Sequence, residues 1–376
     1  MAGSAYSAQE CRFDCQPGNW FNPPLGLHLD EVANIVLRCG CALMSFTGGS
    51  GIFATVVFAP TSGSAFCRGR HEAEAGLVNA RGQARRPLTS FGLIRAFADE
   101  AALDSYYAGR VVVITGAASG IGRALAVRLA VEGAQLALLD VDGLALAGAV
   151  RQCRDAGARA RSDTADVTDQ DAMTRCAAAA AGEFGRVDLL VCAAGVIHTG
   201  AVEASAWEDT RRVIDVNLLG TMGTVSAFLP CLRSSDAGHA VLFSSGFGLV
   251  AMPRFAAYSA SKYGVRGYAE ALAQELRMND RPVRVTCVYP GVVRTPIVRR
   301  GTFAGGEDAD ARAESFDRRA LTEPEQAAEV ILRRVQQGRA RALVGADARA
   351  AWLAERGLGS AAQRLISWIA GRARSR

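Results

Sequence analysis

A chain of 376 residues, half of them hydrophobic and 21% charged, has a soluble globular composition with ample length for a buried core. Ten cysteines over that length exclude a disulfide scaffold. The net charge of +5 sits in residues 349–376, six arginines against Glu355; the remainder sums to zero, which speaks against a nucleic-acid-binding core.

Residues 1–105 read as an N-terminal extension outside the main fold. Pro23-Pro24, Gly48-Gly49 and Gly51 interrupt every periodicity, Arg81 to Pro87 has linker composition, and the segment is expected to be largely disordered. Cys11, Cys15, Cys39 and Cys41, with His28 between the pairs, follow no zinc spacing, so no metal site is expected. No charged n-region runs directly into an apolar stretch, and the uncharged residues 39–67 are broken by Gly, Ser, Thr and Pro. A cytoplasmic location follows as the expectation.

The pattern changes at residue 106. Val111 to Thr115 is a short β-branched run, the mark of a buried parallel strand, and Gly116-Ala-Ala-Ser-Gly120-Ile-Gly122 leads from it into an amphipathic helix. A glycine turn between strand and helix lets backbone approach a pyrophosphate at the helix N-terminus. A second strand, Gln135–Leu139, ends on Asp140, 24 residues past Gly116. That is close to the spacing of an acid that binds the ribose hydroxyls of a dinucleotide; an acid there repels a 2′-phosphate, so NAD is favoured over NADP. A helix N-cap role for Asp140 is compatible with the same position.

Alternation continues with a helix over about 143–156, an unusually polar strand Ala158–Ala165, a helix over about 169–183 and a strand Val187–Cys192. A long helix around 206–233, strand 240–244, a helix from about 256 to 279, strand Val283–Tyr289, a helix over about 323–337 and strand Ala342–Val344 complete it. The fold class is therefore α/β, a Rossmann-like doubly wound parallel sheet over 106–345 with ligands at the strands' carboxyl ends.

One helix carries Tyr258-Ser-Ala-Ser-Lys262. Lys262 is the only lysine among 42 Lys and Arg residues, and it lies one helical turn from Tyr258 on the same face. An ammonium beside a phenol lowers the phenol pKa towards the range of a general acid/base. Arginine has the wrong shape and a fixed charge for that task.

On these motifs the chain resembles the short-chain dehydrogenase/reductase family over about 106–345. Thr115, Gly116, Gly120 and Gly122 match its Thr-Gly-x-x-x-Gly-x-Gly pattern, and Asp166-Val167 its adenine-side pair. Asn217, Ser245, Tyr258 and Lys262 match its catalytic tetrad; Ser244 neighbours Ser245, and only the spacing selects the second serine. Pro290-Gly291-Val292-Val293-Arg294-Thr295 resembles the loop after its sixth strand, whose threonine meets the nicotinamide amide.

The resemblance implies cofactor contacts from Gly116, Ser119, Gly120, Ile121, Gly122, Asp140, Asp166, Val167, Ala193, Ala194, Gly195, Tyr258, Lys262, Pro290, Gly291, Val293 and Thr295. Lys262 would also hold the nicotinamide ribose, and Asn217 would place a water. The departure is Cys192-Ala193-Ala194-Gly195, where the family has a strand-bridging asparagine; a cysteine is a poor donor, so a cost in stability or cofactor affinity is expected.

Phe247, Met252, Phe255 and Val292 are the candidate substrate walls, pointing to a hydrophobic secondary alcohol or ketone; His198 is a weaker candidate. Residues 299–319, rich in Gly, Asp and Arg, have the composition of a mobile lid. The tail, 346–376, is basic and amphipathic, and two readings stand: peripheral contact with an anionic membrane, or packing on its own domain or a partner copy. A homodimer or homotetramer is what the resemblance implies. The alternative function is a dinucleotide-binding sensor or scaffold that has lost catalysis.

Overall fold

In the computed structural model the chain divides into two units, Met1–Arg85 and Arg86–Arg376. The structure describes residues 106–278, 283–305, 308–359, 361–364 and 366–368, together with strands Met44–Thr47 and Phe53–Val56. Those two strands pair antiparallel within the first unit, Met44 opposite Val56. The expectation of disorder over 1–105, like the Cys11, Cys15, His28, Cys39 and Cys41 set, otherwise lies outside the described residues.

The second unit is built on seven strands: β1 (Val111–Thr115), β2 (Gln135–Asp140), β3 (Ala160–Thr164), β4 (Leu189–Cys192), β5 (His239–Phe243), β6 (Arg284–Pro290) and β7 (Arg341–Val344). They form one parallel sheet in the order β7-β6-β5-β4-β1-β2-β3. Thr115 stands opposite both Leu139 and Cys192, so β1 is flanked by β2 and β4, and the chain reverses direction across the sheet at that point. Such a switch opens a crevice at the carboxyl ends of the strands.

The residue types explain the layers. Every residue of β1 is buried, as a central parallel strand requires. The polar β3 instead buries only Ala160 and then alternates half-buried and exposed positions, because it is the edge of the sheet; Arg161 pairs there with Asp163 at 2.7 Å and Glu183 at 3.2 Å. On one face lie α1 (Gly120–Val131), α2 (Gly143–Asp155) and α7 (Pro324–Gln336). On the other lie α3 (Gln170–Phe184), α4 (Trp207–Arg233) and α5 (Ala256–Met278). Each face has its own apolar cluster, one centred on Ile114, Leu125 and Leu136, the other on Leu190, Phe228 and Val265.

Two further helices complete the unit, α6 (Ala309–Arg319) and α8 (Ala346–Leu358). By length and composition α4 could cross a membrane. Here it packs with α3 and α5 and puts Phe228 and Leu232 into the core. The expected helices and strands of residues 106–345 are all present within three residues of the bounds read from the sequence; the largest difference is α1, which begins at Gly120 and not at Arg123.

Candidate active site

The glycine turn sits where β1 passes into α1. Gly116 and Gly120 both have positive φ (70° and 54°), and a Cβ on Gly116 would lie 2.7 Å from the Ala194 nitrogen. A Cβ on Gly122 would collide with the Gly116 carbonyl. Only glycine permits so tight a turn. The first turn of α1 contains no acidic residue, and Ser119, its N-cap, makes no side-chain capping bond. The N–H groups there are open towards an anion, with the helix dipole behind them.

At the end of β2, Asp140 is not a helix cap. Asp142 caps α2, accepting from the Ala145 N–H at 3.0 Å. Asp140 Oδ2 accepts from the Ala118 N–H at 2.9 Å and Oδ1 from the Asp142 N–H at 3.0 Å. Each oxygen keeps a second lone pair for a ribose hydroxyl. Across the crevice Asp166 bonds its own turn through the Thr168 N–H and hydroxyl, while Val167 packs against Gly220.

Both neighbouring serines follow β5, and the structure separates their tasks. Ser244 donates to the Lys262 carbonyl at 2.8 Å, tying β5 to α5. Ser245 lines the crevice and accepts from the Phe247 N–H at 3.1 Å, and its hydroxyl is near enough to the Tyr258 phenol to favour the phenolate. Tyr258 is 8% exposed and Lys262 4%. Burial pushes the phenol up, and the Ser245 hydroxyl opposes this by less. Lys262 does not contribute the lowering expected of it. Its Nζ stands 5.6 Å from the centre of the phenol ring and donates to the Phe243 carbonyl at 2.9 Å. Burial pulls the ammonium itself down to about 8.

Asn217 stands behind the crevice, fully buried, in a wide π-type turn at Asp215–Leu219 within α4. Its Oδ1 accepts from the Val196 N–H at 2.8 Å, and its Nδ2 donates to the Val196 carbonyl at 2.9 Å and to Ser261 Oγ at 3.0 Å. Ser261 in turn donates to the Tyr258 carbonyl at 2.7 Å. The side chain thus ties the loop after β4 to the turn of α5 that carries Tyr258. Ser261, a mere spacer in the sequence motif, is part of that tie. Cys192 packs in the sheet with its thiol pushed up to about 12 by burial, and the neighbouring Ala194 N–H is taken by Thr115 Oγ1 at 3.3 Å. A threonine hydroxyl from β1 thus bonds the loop that follows β4.

A cavity of about 960 Å³ runs along the carboxyl ends of the strands. All the residues expected to hold a dinucleotide line it, with Ser245; Asn217 does not. Of the expected substrate walls, Phe247, Met252 and Val292 line it. Phe255 does not; its ring packs against Phe247 at 5.1 Å between centroids, in a cluster with Ile197, Val213 and Tyr258.

His198 is buried elsewhere, bonded to Thr302 Oγ1 at 2.8 Å and Ser205 Oγ at 2.9 Å. It helps pin the segment read as a mobile lid: Thr302–Phe303 pairs with His198–Thr199, and α6 follows. That segment brings Arg300 and Phe316 to the cavity, and Arg300 reaches Asp142 at 3.6 Å.

Sequence reasoning also missed walls on the C-terminal segment. Asp347, Ala351 and Ala354 of α8, and Ile366 beyond it, line the cavity. Asp347 accepts from the Val292 N–H at 2.6 Å. Of the two readings of the tail, the structure has packing on its own domain: Ala351, Trp352 and Ile366 lie against the second apolar cluster, and Arg266 meets Glu355 at 3.5 Å. Leu353, Leu358 and Trp368 remain exposed.

A glycine turn without room for side chains, open helix N–H groups and a carboxylate with free lone pairs fit a bound dinucleotide. This is the site of a dinucleotide-dependent oxidoreductase. A family model described as short chain dehydrogenase matches residues 110–302. SadH of Mycobacterium tuberculosis, a protein assigned as an oxidoreductase, is 46% identical over 264 residues, 70% of this chain and 96% of that one. Human estradiol 17-beta-dehydrogenase 11 is 31% identical over 199 residues, 53% of this chain and 66% of that one. Among solved structures, a short-chain dehydrogenase/reductase from Burkholderia phymatum in complex with NAD superposes with a TM-score of 0.63 at 30% identity, covering 67% of this chain and 95% of that one. The chain belongs to the short-chain dehydrogenase/reductase family, and it is an oxidoreductase.

Proposed function

We propose that this protein interconverts a hydrophobic secondary alcohol and its ketone, with NAD as the redox partner and Tyr258 as general acid/base. The observation that carries the reading is the convergence of Ser245, Tyr258 and Lys262 on one crevice beside the glycine turn. When bound, the dinucleotide supplies the hydride acceptor or donor. Tyr258 holds the proton that leaves or joins the substrate oxygen. Ser245, beside the phenol, orients that oxygen and stabilises charge developing on it. Lys262 supplies a buried positive charge facing the phenol ring and lines the crevice, where it would hold the nicotinamide ribose. Asn217 and Ser261 hold the helix turn of Tyr258 in register.

Asp140 favours NAD over NADP, since its free lone pairs accept ribose hydroxyls and its charge repels a phosphate. The apolar side chains of Phe247, Met252, Ile297 and Phe316 favour a hydrophobic substrate, as does the relative named an estradiol dehydrogenase. Exposed Trp207 and Leu219 on α4 suit pairing of copies into a dimer or tetramer, the assembly implied by the resemblance.

Cofactor absorbance followed against a panel of hydrophobic alcohols and ketones, with NAD and NADP in parallel, tests the reading. Tyr258→Phe is expected to lower kcat by about 10²–10⁴-fold while the Kd for NAD stays nearly the same. The same turnover in that variant would refute the mechanism, and NAD binding with no turnover of the panel by the wild type would favour a dinucleotide sensor.

A further inference from the structure

Loop 290–295, which follows β6, joins two ends of the crevice. Its Pro290 carbonyl lies 3.6 Å from the position a Cβ would take on Gly246, the residue after Ser245. Its Thr295 side chain lies 3.1 Å from the position a Cβ would take on Gly120, in the glycine turn. Gly291, Val292 and Val293 line the cavity between them. A dinucleotide with its phosphates at the glycine turn and its reacting ring beside Ser245 and Tyr258 would therefore lay its nicotinamide half along this loop.

Past Pro290 the chain leaves its strand, so the N–H groups of the loop need other partners. Three are met by residues far down the chain. The Gly291 N–H donates to the Val344 carbonyl at 2.9 Å, the Val292 N–H to Asp347 Oδ2 at 2.6 Å and the Arg294 N–H to the Thr322 carbonyl at 2.9 Å. The outer two acceptors are backbone, which any residue supplies. The middle one is a side chain, and only another acceptor of that reach can replace it.

Gly291 fits the same contact. Its φ is not positive, so the backbone conformation does not call for glycine. A Cβ there would collide with the Asp347 carboxylate, so glycine makes room for it. Asp347 is also the acid in the first turn of α8, where its charge suits the helix dipole. The dipole alone does not require the carboxylate to reach the loop.

We propose that Asp347 is a positioning residue for the nicotinamide half of the cofactor. By holding the Val292 N–H it fixes the middle of loop 290–295, and with it the wall that sets the ring beside Ser245 and Tyr258. The role rests on the dinucleotide reading given above, and Asp347 lies beyond residues 110–302 that the family model matches.

Calorimetry on the full chain, with NAD and with ADP-ribose, tests it. ADP-ribose keeps the adenosine, both phosphates and the second ribose but lacks the nicotinamide ring. Asp347→Ala is expected to raise the Kd for NAD by about three- to tenfold and to leave the Kd for ADP-ribose within about twofold. ADP-ribose binding also reports that the variant is folded. Asp347→Asn, whose amide oxygen can still accept from the Val292 N–H, is expected to keep both constants within about twofold of the wild type. Arg349→Ala, exposed on the same helix, should change neither. NADP and its nicotinamide-free counterpart are compared in parallel.

Equal losses for NAD and ADP-ribose in Asp347→Ala would overturn the positioning role, as would no loss for either. Equal behaviour of the Ala and Asn variants would also overturn it, since a role confined to the dipole of α8 depends on charge, which both lack. A wild type that binds none of the four ligands would refute the dinucleotide reading itself, and this role with it.

Discussion

The glycine turn and the C-terminal segment border the same cavity, yet they are specified in opposite ways. At the turn the decisive atoms are backbone: positive φ at Gly116 and Gly120, and a carbonyl at Gly116 that forbids any Cβ on Gly122. Such a constraint is local, and it is written in residue type at fixed spacing. The C-terminal segment contributes side chains through a helix whose own pattern says only that it is amphipathic. Which apolar residues face the cavity, which face the core and which stay in water depends on what α8 packs against. Local steric necessity is legible in a sequence; the choice of a packing partner is not.

Gly122→Ala breaks the turn side of this contrast most directly. The new methyl has a carbonyl oxygen of the backbone in its way, so a loss of about 3 kcal/mol is expected. The Kd for NAD should rise by about tenfold or more, and thermal unfolding and cofactor titration check both.

Between the two regions lies Lys262. Its ammonium is pulled from 10.5 to about 8 by burial, so at pH 7 the folded state carries a penalty of about 3 kcal/mol for keeping it charged. Lys262→Met removes that penalty but leaves the Phe243 carbonyl unpaired, for a net gain of about 1–2 kcal/mol at pH 7. Above about 8 the folded lysine is neutral while the unfolded one still binds a proton until 10.5. Wild-type stability from this group thus rises with pH through that window, and the variant's advantage should shrink there. Denaturant midpoints at pH 7 and pH 9.5 measure it; an advantage that widens with pH would contradict the burial account.

The smallest effect is expected on the C-terminal side. Asp347→Ala frees the Val292 N–H at the mouth of the cavity, in reach of water, and should cost about 1 kcal/mol. If it instead costs as much as Gly122→Ala, the C-terminal segment is as strictly built as the turn, and the contrast fails.

Much of the site was legible before the fold was known. The strand–glycine–helix transition, Asp140 after the second strand, and Tyr258 with the sole lysine all follow from spacing and residue chemistry. Other parts were not. Phe255 has the composition of a pocket wall but is claimed by Phe247, and His198 is claimed by Thr302 and Ser205. Asp142 rather than Asp140 caps α2, because the strand runs one residue further than its apolar run. The direction of the Tyr258 shift depends on how deeply the phenol is buried and where the ammonium points, neither of which spacing encodes.

The amino-acid sequence alone determined the alternation of strands and helices, the parallel sheet, the tight glycine turn and the candidate site residues. Each depends on local periodicity or on residues only one chemistry can use. Tertiary structure decided which serine ties β5 to α5, what anchors Asn217, and that α8 of the basic tail walls the cavity. These are contacts between residues far apart in the chain, and their free energies depend on burial and packing that exist only once the sheet has formed.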